Sequence, residues 1–322
     1  MKAKKLATVT IAMGLILTSN VHAQPNNSSN EEWKKPIFIE GADLQEEKHT
    51  ETEQKLNVKS DYERFKVNVD DVAKYVPSSS NLNYIYSSAT IEKKHFGSGV
   101  KVEIKTPENI TKVTSDQYRN AAITAGIKNA NIKIASISPV TGEGALAGIY
   151  KAYAMKNNDL DEQDIQNANE EMKNLSNISE ENRGEKGYSD EALNASISEI
   201  KTQLAEIRSK QDRQLTQDDV KQTVNEVLAE RGLDKIINDN QRQLIINNMN
   251  NVANSNALNN DPEAFKKQAK DLTHSIQNQA GDKINKAKEF VNSDEGRNLF
   301  QKILDGIMEI INHIIEFVKS LF

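Results

Sequence analysis

Hydrophobic and polar positions change rhythm twice along this 322-residue chain. From Ile37 to about Val140, short apolar runs and period-two alternation prevail, the mark of strands with one wet face. Ile37 to Ile39 is a brief apolar run ended by Gly41, and a polar helical stretch follows around Gln45 to Leu56. Phe65, Val67 and Val69 recur at every second residue, and "DDVAKYV" reads as a short helix with Asp70 or Asp71 as its N-cap. "NYIYSSATIEKK" and "VKVEIKT" flank the glycine-bearing loop "HFGSG", which predicts a β-hairpin. Val100, Val102 and Ile104 alternate with Lys101, Glu103 and Lys105, so one sheet face meets water. Thr114 and Gln117 form a capping box that starts a helix, Gly126 stops it, and "NIKIASISPV" is another alternating strand. Strands and helices mixed in this order predict an α+β protein with a mixed α/β head over residues 36–156.

Beyond Asn157 the alternation disappears, and Asn, Gln, Glu and Lys dominate. Leu193, Ile197, Ile200, Leu204 and Ile207 step by four and three, a coiled-coil seam two heptads long. A free-standing coiled coil wants about three to four heptads, so the spacing predicts a thin intramolecular bundle. "NISEENRGEKGYSD" reads as a hinge or loop between helices, Thr216 with Asp219 and Asp261 with Pro262 as helix starts, and Gly232 as a stop. A further helix after "NDNQ" carries Leu244, Ile245, Met249 and Val252. Residues 157–295 are thus expected to form an elongated all-helical region.

The third rhythm occupies residues 296–322. In "LFQKILDGIMEIINHIIEFVKSLF" polar residues return every three or four positions at Lys302, Asp305, Glu309, Asn312, Glu316 and Lys319. That recurrence predicts an amphipathic helix and not a spanning one. Its candidate docking residues are Leu299, Phe300, Ile303, Leu304, Ile307, Ile311, Ile314, Ile315, Val318, Leu321 and Phe322. Burying half of such a face, at roughly 1.5 kcal/mol a side chain, is worth on the order of 10 kcal/mol before entropy. Three covers are open: the protein's own domain, another copy or a partner protein, or a membrane surface. The two lysines are outnumbered by Asp305, Glu309 and Glu316, so contact with lipid would be mainly hydrophobic.

Composition adds the compartment. "MKAKK", the apolar run "LATVTIAMGLIL" and the small-residue site "VHA" predict a signal peptide over residues 1–23, cleaved after Ala23. Residues 24–35 then form a flexible polar leader, in which Trp33 has no apolar neighbours nearby in sequence. Losing Lys2, Lys4 and Lys5 takes the formal charge from −6 to −9, which argues against nucleic acid as a partner. With no cysteine, disulfides, a lipidated N-terminal Cys and thiol chemistry are excluded. The expectation is a secreted, extracellular protein, with non-covalent association to the envelope as an option.

Candidate chemistry is sparse. Gly142, Gly144 and Gly148 read G-x-G-x-x-x-G, which misses the dinucleotide spacing, and no Walker lysine follows. Thr141 is the better N-cap, with the small residues letting the helix lie close on a sheet. Asp159, Asp161, Gln163 and Glu170 stand at calcium-loop spacing, but Asp164 holds the place where the loop needs glycine. His49, His95, His274 and His313 are scattered singly. Ser198 and Lys201 match S-x-x-K, on a face expected to be solvated, without a companion motif. No catalytic residue, metal or cofactor is assigned. The reading is a non-enzymatic binding or structural module; the alternative is an extracytoplasmic hydrolase whose carboxylates converge only in the fold.

"GSGVKVEI", "NITKVTSDQYRNAAITAGIKNANIKI" and "PVTGEGALAGIYKAY", with "GADLQEE", "INDNQRQLIINNMN" and "NNDPEAFKKQ", carry a resemblance. They resemble the secreted Firmicute YpuA-like family, labelled domain of unknown function one thousand and two, closely over 36–156 and loosely over 160–290. The resemblance implies an exported protein with a mixed α/β head and a helical remainder. It brings no activity, ligand or catalytic residue.

Overall fold

The alternating segments assemble into one mixed sheet. In the computed structural model, which describes residues 33–79, 81–156, 160–211, 213–298 and 301, the strands are β1 (Ile37–Gly41), β2 (Glu63–Val67), β3 (Ser88–Lys93), β4 (Val100–Ile104) and β5 (Ala130–Ala135). Their spatial order is β2-β1-β3-β5-β4. The β1–β2 and β4–β5 pairs are parallel, and β1–β3 and β3–β5 antiparallel.

This order corrects the predicted hairpin, because β5 lies between β3 and β4. The glycine loop does not turn tightly; it steps over the end of β5. Lys94 N–H donates to the Asn129 carbonyl at 2.6 Å, and Gly99 N–H to Asn129 Oδ1 at 3.2 Å. Six residues easily span the roughly 10 Å of two strand spacings. Burial explains the choice. Ala130, Ile132 and Ile134 of β5 are buried and suit a central strand, whereas Lys101 of β4 is exposed and suits an edge.

Helix α1 (Glu46–Leu56) covers one sheet face, where Leu56 meets Phe38 and Ala135. The other face takes α2 (Val69–Tyr75) and α4 (Glu143–Met155), while α3 (Ser115–Thr124) packs along β4. Asn68, rather than Asp70 or Asp71, caps α2. Its Oδ1 accepts the Asp71 N–H at 3.0 Å, and the Asp71 carboxylate accepts the Asn68 N–H at 2.9 Å. The Thr114–Gln117 box stands as predicted. Trp33, expected in the polar leader, is buried edge-on against Tyr153 with ring centroids 4.8 Å apart, beneath the Lys93 ammonium. Its apolar neighbour comes from far along the chain.

The helical region consists of α5 (Glu162–Asn182), α6 (Asp190–Gln211), α7 (Gln217–Glu230), α8 (Asp239–Ala253), α9 (Asn256–Asn259) and α10 (Pro262–Asn292). The expected hinge or loop lies between α5 and α6, though its first six residues are still helix: α5 runs to Asn182, and a turn follows with Gly184 and Gly187 at positive φ. Thr216 with Asp219, and Asp261 with Pro262, start their helices as predicted. Leu193, Ile197, Ile200 and Leu204 are fully buried on α6, which packs chiefly against α10, so the short seam is covered within the chain. Helix α3 joins the two cores. Tyr118, Ala121 and Ala122 belong to the core under the sheet, Ile123 to that of the helices. The protein is α+β, and its described residues fall in one compact unit. No described helix is long and apolar enough to cross a membrane.

Candidate functional site

The glycine stretch resolves into packing. Gly142, at φ 110°, is the residue before α4, and it replaces Thr141 as the cap position. The Tyr118 hydroxyl donates to the Gly142 carbonyl at 2.7 Å, and a Cβ on Gly142 would collide with the Tyr118 hydroxyl oxygen. Burial pushes the Tyr118 phenol far up, so it remains a donor. A Cβ on Gly144 would lie 2.9 Å from Ile85 Cγ2, and one on Gly148 2.7 Å from Ile39 Cγ2. The glycines seat the helix on the sheet, and Tyr118 and Ile110 fill the space over its first residue.

The most polar buried cluster lies where α3, α5 and α6 meet. The ammonium of Lys201 and the carboxylate of Glu171 are 2.7 Å apart, and both side chains are wholly buried. Lys201 Nζ also donates to the Asn120 carbonyl at 2.9 Å, and the second Glu171 oxygen accepts from the Thr124 hydroxyl at 2.7 Å. Burial pulls the Lys201 pKa down, and Glu171 opposes it. Asn120 Nδ2 reaches the Asn194 carbonyl at 3.2 Å. Ser198 donates to the same carbonyl at 3.1 Å and accepts from Thr273 of α10 at 2.8 Å.

This cluster corrects the expectation that Ser198 and Lys201 face water: both are buried. Lys201 stands four residues after Ile197 and beside Ile200, on the flank of the seam that turns toward α3 and α5. That position was the sequence signal for a buried lysine. Glu171, Asn120 and Thr124 carried no comparable signal. Ser198 spends its hydroxyl on backbone and Thr273, and Lys201 on Glu171 and Asn120. The arrangement can fix helix register; it offers nothing to a solute.

The acids of the calcium-like run serve as helix caps. Asp161 Oδ1 accepts the Asp164 N–H at 3.0 Å and so starts α5. The buried Asp164 carboxylate accepts the N–H groups of Asn256 at 3.1 Å and Ala257 at 2.6 Å, which ties α5 to the start of α9. Burial raises Asp164 to about 6 against the pull of those two donors. Gln163 and Glu170 lie on α5 itself, and Asp159 is outside the described residues. Among the described residues no group of three or more His, Cys, Asp or Glu is arranged to hold a metal ion. His49 of α1 pairs with Glu40 of β1 at 2.5 Å.

A cleft of about 580 Å³ opens between the α5–α6 turn and the second half of α10, with Arg183, Tyr188, Asp190, Glu191, Lys283 and Phe290 in its wall. Arg183, Asp190, Glu191 and Lys283 are paired among themselves. Asp190 accepts from the Tyr188 hydroxyl at 2.8 Å and lies 3.6 Å from Arg183. Glu191 accepts from Ser189 at 2.8 Å and from Lys283 at 2.7 Å.

All eleven predicted docking residues, from Leu299 to Phe322, lie outside the described residues. The approach to them is described. α10 ends at Asn292, and the Ser293 hydroxyl donates to the Phe290 carbonyl at 2.6 Å while accepting the Gly296 N–H at 3.0 Å. A Cβ on Gly296 would lie 2.1 Å from the Phe290 oxygen, so glycine permits a tight corner there. Four large apolar side chains are exposed among the described residues: Tyr84, Phe96, Met155 and Leu244. Tyr84 and Phe96 sit in the loops before and after β3, Met155 at the end of α4 and Leu244 on α8.

The family profile described as a protein of unknown function (DUF1002) matches residues 40–272. The chain is 27% identical over 292 residues to the uncharacterized protein YpuA of Bacillus subtilis (strain 168), over 88% of this chain and 89% of that protein. No solved structure matches. The matched region takes in the glycine seat, the Glu171–Lys201 cluster and the Asp164 caps, and it stops before the corner at Ser293.

Proposed function

From a chain that belongs to the DUF1002 family of proteins of unknown function, and so inherits no activity by position, we propose an exported, non-enzymatic module. Its folded part is a binding or structural unit, and its last segment docks it on something outside its own fold. One observation carries this reading. The described part buries most of its apolar side chains, and the four large ones left exposed lie on two loops and two helices. The apolar stripe of Leu299–Phe322 is far larger than any of these four single side chains. In this proposal its cover comes from elsewhere. The basic n-region, apolar run and small-residue site of residues 1–23 support export. The full burial of Ser198, Glu171 and Lys201 supports a structural rather than a chemical role for them.

The test compares the mature chain, residues 24–322, with a form ending at Asn298. The mature chain should sediment or float in company, with lipid vesicles or other protein, and the shortened form should remain a free monomer. Identical behaviour of both forms sinks the proposal. So does turnover of a substrate by the purified protein that is lost in Asp190→Asn or Glu191→Gln, because those acids line the cleft a hydrolase would use.

A further inference from the structure

Of the four large side chains at the surface, Tyr84 stands apart, because it does not stand alone. It is 63% exposed, and its ring stacks on that of half-buried Tyr86, with centroids 5.9 Å apart and planes 11° from parallel. Ile85 between them is buried, as alternation in an extended segment requires. That residue is firmly seated. Its N–H donates to Asp43 Oδ2 at 2.9 Å, and the Asp43 N–H donates to its carbonyl at 3.2 Å. A Cβ on Gly41 would collide with the same carbonyl, and one on Gly144 would lie 2.9 Å from Ile85 Cγ2. The end of β1 and the start of α4 therefore grip the segment from two sides. Folding has already ordered the ring pair, so a ligand need not meet that cost.

What surrounds the rings decides what they can hold. No charged residue occurs from Tyr75 to Ile91, in a chain of which 27% is charged. Asn81 and Asn83 beside the pair are exposed. Tyr, Asn and Ser are the residue types that give antibody loops rigid ring faces and adaptable hydrogen bonds. Asp43 brings an exposed carboxylate to the same place, with one oxygen on the Ile85 N–H. A phosphate or a nucleic acid backbone would meet that carboxylate and find no cation in the segment. A cation is held best by ring faces in a dry site, and here the ring is open to water. A protein partner would want roughly 800 Å² on this side, yet the pair is flanked by amides and not by further apolar side chains. A pyranose with equatorial hydroxyls fits each feature. Its axial C–H groups lie on the electron-rich ring face, and its hydroxyls pair with the amides and the carboxylate at the edge. A polymer of such sugars repeats this weak contact many times along its length.

We infer that Tyr84, backed by Tyr86 and edged by Asp43 and Asn83, is a platform for a neutral polysaccharide of gluco-configured sugars. The inference rests on the reading of the folded part as a binding unit and gives that unit its ligand. Native electrophoresis of the mature chain, residues 24–322, tests it in gels cast with hydroxyethylcellulose or glycol chitin, two soluble neutral polymers of that configuration. The mature chain should be retarded in at least one of them relative to a gel without polymer. Tyr84→Ala should lose the retardation and Tyr86→Ala part of it, while Tyr84→Phe should keep it, because the ring face and not the hydroxyl makes the contact. Tyr84 is exposed, so circular dichroism should show each of its variants folded. Unhindered migration of the mature chain in both gels would overturn the assignment, as would equal retardation of the mature chain and Tyr84→Ala. Either result would leave the docking of the last segment standing, since that reading is tested by truncation at Asn298 and not at Tyr84.

Discussion

The two cores of this protein are closed by different means. Under the sheet, backbone and methyl groups approach so closely that Gly144 and Gly148 leave no room for a Cβ, and shape does the sealing. Between the helices, the deepest contact is a charged pair with amide and hydroxyl partners, 2.7 Å long and out of water. Shape complementarity tolerates no added volume, whereas a buried ion pair tolerates no missing partner. Helix α3 takes part in both, with Tyr118 closing the sheet side and Asn120 and Thr124 the polar side. A defect at α3 should therefore be felt in both halves, as expected where the described residues form one unit.

The largest expected effect breaks the polar closure. Lys201→Met leaves Glu171 charged and alone in the interior, and Glu171→Leu does the same to Lys201. Each should cost about 3–5 kcal/mol in urea unfolding. The double variant should recover most of that loss, because two apolar side chains need no partner and avoid the desolvation of two charges. Additive losses in the double variant would mean that the two charges are not energetically coupled and that each single loss has a cause other than an abandoned partner.

A smaller effect, of opposite cause, tests closure by shape. Gly148→Ala gains helix propensity but drives a Cβ to 2.7 Å from Ile39 Cγ2 in a filled core, with Val67 Cγ1 at 3.4 Å behind it. A net loss of about 1–2 kcal/mol is expected. Gly281→Ala is the counterpart on α10, with open space where its Cβ would stand, and should raise stability by up to about 1 kcal/mol. If both substitutions stabilise, the sheet core has slack that the glycine contacts do not suggest.

The two closures also differ in how far they could be read in advance. The glycines were legible as a close-packing surface because small residues at helical spacing have that one common use. Helix starts at Thr114, Thr216 and Asp261 were legible because a cap is a local contact within four residues. Strand pairing was not. Local signals around "HFGSG" favoured a hairpin, while the insertion of β5 depended on residues about thirty positions away. Trp33 was misplaced for the same reason, its partner Tyr153 being remote. The polar cluster was half visible: Lys201 stood beside an apolar seam, but nothing near Glu171 announced its neighbour. What lies outside the described residues, from Leu299 onward, is legible only as period and charge.

Asp164 offers the mildest test, and its sign separates burial from hydrogen bonding. Two backbone donors favour its charged form, while burial disfavours it, and the balance places the group at about 6. An unfolded aspartate titrates near 3.9, so between about pH 4 and 6 the folded chain binds the proton more tightly than the unfolded one. Stability from this group is therefore fully present below about pH 4 and is lost as pH rises through 6, by on the order of 1–2 kcal/mol. Asp164→Asn removes the titration while keeping one acceptor oxygen for the α9 donors. The variant should flatten the unfolding free energy across that window and match the parent most closely at its acid end. If the parent instead gains stability from pH 4 to 6 relative to the variant, the two N–H groups outweigh burial, and the tie between α5 and α9 is an ionic one at neutral pH.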